Sequence, residues 1–79
     1  MSENPSISSV IEKLNRQKAK EQAFQARYDF HISKKYEAMA GFYDGWSSSI
    51  DARNHHALSA SLVYQDALTA GFKLKTEGE

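Results

Sequence analysis

Three histidines, His31, His55 and His56, are the side chains of this sequence best suited to binding a metal ion. Imidazole nitrogens are common ligands of zinc, copper and nickel. However, His55 and His56 are adjacent and point about 100° apart on a helix, and neither HExxH nor Glu-x-x-His accompanies them. His31 stands among aromatic residues and is expected to be a partly buried hydrogen-bonding side chain. Because the chain also has no cysteine, we expect no metal site and no cofactor.

A serine nucleophile is the other chemistry that the residue types would allow. Ser47, Ser48 and Ser49 are consecutive, and Asp44 or Asp66 could orient a histidine as a catalytic triad requires. Serines before a helix are more simply explained as caps and turn residues. A two-helix chain also lacks the concave pocket that acyl transfer needs. The sequence therefore predicts a protein that is not an enzyme.

A basic segment with aromatic neighbours indicates nucleic-acid binding as an alternative function. Its residues are Lys13, Arg16, Lys18, Lys20 and Arg27, near Phe24 and Tyr28. Glu12, Glu21 and Asp29 dilute this positive charge, and over the whole chain ten acidic residues balance ten basic ones. A neutral chain exerts no long-range attraction on nucleic acid or on an anionic membrane.

Helices are the elements expected to position these residues. At 3.6 residues per turn, one narrow arc collects most of the large apolar side chains of the first half of the chain. From the N-terminus they are Ile7, Val10, Ile11, Leu14, Tyr28, Ile32, Tyr36, Met39, Tyr43 and Trp46. Residues 15–27 interrupt the apolar pattern but are mostly good helix formers without Gly or Pro, so we expect one continuous helix with a solvated middle.

The predicted fold is all-α, a single domain over residues 1–79 that forms a helical hairpin with one long and one shorter helix. Asn4 and Pro5 suit the start of helix one, expected at about 5–43. A helix of that length would extend roughly 58 Å, far more than a compact domain of this size.

A turn is expected at residues 44–49, where Asp44-Gly45 is a typical chain-reversal pair. Ser48 is positioned to cap helix two, expected at about 50–70, and Gly71 to end it. Residues 73–79 are expected to fray, with Phe72 and Leu74 as the residues able to fold back.

Self-association is expected because so small a chain buries only about 60% of its surface alone and has no disulfide. Helix two is apolar over more than one side, which one neighbouring helix cannot cover. The predicted protein interface, in a dimer or higher oligomer, consists of Tyr28, Ile32, Tyr36, Met39, Tyr43, Trp46, Tyr64 and Leu68. Aromatic residues are enriched at the buried centres of such interfaces.

The functional expectation is a non-enzymatic regulator or inhibitor that binds itself and another intracellular protein. Residues 1–35 hold seven basic and four acidic residues, whereas residues 36–79 hold three and six, so opposite ends of two chains could attract each other. The N-terminus lacks the pattern of a signal peptide, and no apolar run approaches the ~20 residues of a membrane span. A cytoplasmic protein with no membrane contact is expected, of a size typical of phage or bacterial accessory proteins.

Overall fold

The computed structural model describes residues 5–77, which form two antiparallel α-helices. Helix α1 runs over Pro5–Met39 and helix α2 over Ser49–Thr69, and the two helices contact each other. The predicted all-α hairpin is confirmed, and α1 is continuous through residues 15–27. The predicted N-cap Asn4 lies outside the described residues.

Helix α1 ends at Met39 rather than at the predicted residue 43, because Gly41 adopts a left-handed conformation with φ of 101°. The amide of Phe42 donates to the carbonyl of Glu37 at 2.8 Å, and the amide of Gly41 donates to Ala38 at 3.1 Å. This paired arrangement is a Schellman motif, which satisfies the last carbonyls of the helix. Gly41 therefore terminates α1.

The ends of α2 follow the predicted capping pattern. The Ser48 hydroxyl accepts a hydrogen bond from the Asp51 amide at 3.1 Å, as an N-cap should. At the other end Gly71 has φ of 95°, and the amide of Phe72 donates to the carbonyl of Ala67 at 2.8 Å. A second Schellman motif thus ends α2 and turns the chain back toward the helices.

The core of the hairpin is built from small residues of α2 packed against larger side chains. Ala52, Ala60 and Ala67 are buried at intervals of about two helical turns, which lets α1 approach α2 closely. Tyr28 of α1 is buried and contacts Tyr64 of α2, with ring centroids 6.2 Å apart.

The segment after α2 departs in part from the sequence prediction: Leu74 folds back as expected, but Lys75 and Glu77, which were expected to fray, also contact the hairpin. Leu74 is only 2% exposed and joins the core cluster with Tyr28. The Gln25 side chain donates to the carbonyl of Lys75 at 3.0 Å and accepts from its amide at 2.9 Å. One amide side chain thereby fixes the backbone of the tail beside α1.

Two further contacts hold the end of the tail. The ammonium of Lys35 lies 2.8 Å from a carboxylate oxygen of Glu77, and the Tyr36 hydroxyl donates to the other oxygen. The side-chain hydrogen bond and charge of Glu77 raise the pKa of Lys35, while Lys35 and Tyr36 lower the pKa of Glu77. Residues 78–79, the rest of the predicted frayed segment, lie outside the described residues.

The hairpin is strongly elongated, at 64 × 19 × 19 Å, because α1 extends well beyond α2. Residues 7–23 of α1 are exposed throughout, whereas the buried positions of α1 fall between residues 24 and 38. Within the described part of the chain, neither helix is both long and apolar enough to cross a membrane.

Candidate self-association surface

The extended half of α1 carries an uncovered row of aliphatic side chains, here called the N-terminal stripe. It consists of Ile7, Val10, Ile11 and Leu14, which are between 53% and 58% exposed. Leu14 also lines a shallow groove with Phe72, so the stripe runs into the packed end of the hairpin. Four large aliphatic side chains aligned on one helix form a contiguous apolar surface, the kind of surface that marks interaction sites.

The spacing within the N-terminal stripe is symmetric. Ile7 and Val10 are three positions apart, Val10 and Ile11 are adjacent, and Leu14 follows after three more. A two-fold axis between Val10 and Ile11 therefore relates the stripe to itself in the reversed direction. An isologous dimer requires this kind of self-complementary patch.

The predicted protein interface is divided by the structure between core and surface. Tyr28 is buried inside the chain, and Ile32 and Tyr64 pack partly buried against the same core cluster, so these residues stabilise the hairpin itself. They are covered because α1, α2 and the tail segment pack against one another at this cluster. The remaining members of the set lie more than a third exposed: Tyr36, Met39, Tyr43, Trp46 and Leu68.

The residues of the predicted basic segment are likewise divided between two sides of α1. On a regular helix Lys13, Arg16, Lys20 and Arg27 share one side, here called the basic face, about 140° around α1 from the N-terminal stripe. Lys18 lies instead on the side of the stripe and lines the groove with Leu14. All five side chains are exposed. The ion pair of Arg16 with Glu12, at 3.7 Å, is also solvent-exposed and contributes little stability.

The three histidines converge at the loop end of the hairpin, an arrangement that the sequence reasoning missed. The ring of His31 on α1 lies 5.2 Å from that of His56 and 6.4 Å from that of His55, measured between centroids. The Nδ1 atoms of His31 and His56 are 3.0 Å apart. Trp46 covers the cluster, with its ring 4.6 Å from that of His55. Spacing along one helix could not reveal this cluster because its members come from two helices.

Burial is the main cause that lowers the pKa of both His31 and His56 below the ordinary value of 6.5, and the neighbouring His55 lowers both further. For His56 the positive charge of Lys34 acts in the same direction, while Glu37 opposes it. Both imidazoles are therefore held in the neutral form near neutral pH. The expected partly buried, hydrogen-bonding environment of His31 is confirmed.

A small cavity of about 200 Å³ adjoins the histidine cluster at the loop. Phe42, Tyr43 and Trp46 line it together with the ion-paired Lys34 and Glu37. Phe42 is 71% exposed, the highest value among the large apolar side chains of the described residues. The loop end of the hairpin is therefore a second exposed apolar surface, aromatic in composition, at the opposite end of α1 from the aliphatic N-terminal stripe.

Comparison of the chain with protein-family models, with curated proteins and with solved structures gave no match. Function is therefore inferred from the surfaces of the molecule itself.

Proposed function

We propose that this protein is a non-enzymatic, self-associating interaction module, in which two copies pair through the N-terminal halves of their α1 helices. The observation that carries this proposal is the N-terminal stripe, four large aliphatic side chains that are more than half exposed on the part of α1 that extends beyond α2. A helical segment without tertiary packing is only marginally stable in water, and packing its apolar face against a partner stabilises it.

A second copy of the chain is the occupant that best fits the stripe. In an antiparallel pair, the two-fold axis places Ile7 opposite the partner's Leu14 and Val10 opposite the partner's Ile11. The same contacts then form twice, and every large member of the stripe has an aliphatic neighbour. Interdigitated aliphatic rows of this kind are how helices commonly pack against each other.

Pairing at this end of α1 leaves the loop ends exposed at the two extremities of the dimer. The aromatic surface of Phe42, Tyr43 and Trp46 is then displayed twice. We assign binding of another protein, with a regulatory or inhibitory effect, to this surface. Two copies on one dimer would bind a multivalent target more tightly than one copy could.

The experiment that tests self-association compares two substitutions, at adjacent residues, that each introduce a negative charge. Val10→Glu places a carboxylate in the stripe and is expected to weaken dimerisation at least about tenfold, because burying an unpaired charge is costly. Ser9→Glu is the matched control, since Ser9 faces away from the stripe and lies one turn before Lys13. Sedimentation equilibrium measures both dissociation constants, and equal values for the two variants would contradict the assignment.

Nucleic-acid binding through the basic face is the second candidate function, favoured by the exposure and common orientation of its four residues. The test is fluorescence anisotropy of labelled duplex DNA at increasing salt. Binding through phosphates would weaken steeply as salt rises and would be reduced by Lys20→Glu. Absence of binding at low salt would exclude this candidate.

A further inference from the structure

We propose that His31 of α1 and His56 of α2 form a two-histidine binding site for a divalent transition-metal ion of the Cu²⁺ or Ni²⁺ type. The two residues are 25 positions apart in the sequence, yet their Nδ1 atoms lie 3.0 Å from each other across the helix interface. In the metal-free protein one Nδ1 donates its hydrogen to the other. When a metal is bound, both lone pairs point to the ion and both rings carry their proton on Nε2.

The separation of the two nitrogens favours ions whose neighbouring ligands lie about 90° apart. With metal–nitrogen bonds of about 2.0–2.1 Å, two ligand atoms 3.0 Å apart subtend an angle of roughly 94° at the metal. This angle is close to the 90° between neighbouring ligands of a square-planar or octahedral ion, and smaller than the 109° of tetrahedral zinc. In the metal-free protein the two nitrogens face each other, so each ring would have to turn about its terminal torsion, which is soft, to aim both lone pairs at one ion.

The surroundings of the two rings favour metal binding. Both side chains are partly buried, and they lie on different helices with their Nδ1 atoms facing each other. Phe30 packs edge-on against both rings, with centroid distances of 5.2 and 6.3 Å, and so adds an aromatic contact to each of them.

The site is expected to use two protein ligands and water. Among the described residues no group of three His, Cys, Asp or Glu side chains is arranged to hold a metal ion. His55 is exposed and contributes ring packing next to Trp46, so it is not assigned as a ligand. Because the two ligands come from different helices, a bound ion would cross-link α1 to α2 near the loop and stabilise the folded hairpin.

The first test measures thermal unfolding and Trp46 fluorescence during titration with Ni²⁺ and Cu²⁺. Trp46 is the only tryptophan, and its ring centroid is 5.9 Å from that of His56, so a paramagnetic ion at the site would quench its emission. At about ten times its dissociation constant the ion is expected to raise Tm by roughly 5–10 °C. Mg²⁺, which prefers oxygen ligands, is the control and is expected to have no effect.

The second test identifies the ligands with three matched substitutions, His31→Gln, His56→Gln and His55→Gln. The first two are expected to abolish both the quenching and the rise in Tm, whereas His55→Gln is expected to keep both. Circular dichroism establishes that each variant is helical before titration. Failure of Ni²⁺ and Cu²⁺ to affect the wild-type protein, or an equal effect of all three substitutions, would overturn the proposal. Neither result depends on the oligomeric state, so the self-association proposal is tested separately.

Discussion

At the scale of single residues, Leu74 shows how the tail segment stabilises the hairpin. It is the largest fully buried side chain of the described residues and contacts a core in which α2 contributes mainly alanines. Alanine side chains bury little apolar surface. The space between the helices is therefore filled by Tyr28 of α1 and by Leu74, which belongs to the tail segment after α2. Two hydrogen bonds between Gln25 and Lys75 hold the backbone of the tail in register.

Leu74→Ala is expected to reduce the free energy of unfolding by about 2–4 kcal/mol, because it removes a buried side chain and leaves a cavity. Leu62→Ala is the matched control, since Leu62 is exposed on α2 and its truncation is expected to cost less than about 1 kcal/mol. Urea denaturation measures both values. Similar losses for the two variants would show that the tail does not pack as described.

Glu77 makes the stability of the tail dependent on pH. Hydrogen bonds from Lys35 and Tyr36 lower its folded-state pKa below the ordinary 4.5. The contribution of these contacts is therefore fully present above pH 4.5 and is lost as pH falls from there through the folded-state pKa. Since the carboxylate is exposed, the effect is screened by salt.

Comparison of the wild-type protein with Glu77→Gln tests this dependence. The wild-type Tm is expected to exceed that of the variant at about pH 7, and the difference is expected to shrink as pH falls below 4.5 and through the folded-state pKa, where Glu77 becomes protonated. A difference that stays constant between these pH values would contradict the role assigned to the Glu77 carboxylate.

At the scale of elements, α1 consists of two physically different halves. Its C-terminal half packs against α2 and the tail, whereas residues 7–23 are exposed throughout. Helical propensity gives the exposed half only marginal stability, because none of the side chains of residues 7–23 is buried against the rest of the described chain. The proposed dimer contact would supply that support.

Amide hydrogen exchange of residues 9–20 is expected to depend on protein concentration. In dilute, monomeric protein these amides should exchange quickly through local opening, and in concentrated, dimeric protein they should be protected at least about tenfold more. The amides of α2 near Ala60 serve as the internal reference. Protection of residues 9–20 that does not change with concentration would argue against pairing through this segment.

The helices could be predicted from the sequence because their signals are local. The extent of α2 follows from its apolar periodicity, with Ser48 as its N-cap and Gly71 as the residue that ends it. The predicted end of α1 lies beyond the observed end because the apolar arc continues past Gly41 in the sequence. The left-handed conformation of Gly41 ends the helix before that arc does. The packed tail and the histidine cluster depend on contacts between residues 25 to 50 positions apart, which no local pattern encodes.

At the scale of the whole molecule, the two ends of the rod have different surfaces. The extended end presents the N-terminal stripe and the basic face, and the loop end presents aromatic residues and the histidine cluster. An antiparallel dimer through the stripe would place both loop ends outward and bury the largest aliphatic surface of α1. We therefore propose that the stable species is a dimer.

The most direct test of this claim is the molar mass of the wild-type protein in solution, measured by light scattering over a range of concentrations and at both low and high salt. We predict twice the 8.9 kDa mass of the chain at high concentration, with a dimer that persists at high salt because its contacts are apolar. A mass of 8.9 kDa at every concentration would contradict the account and would leave the extended half of α1 without its proposed partner.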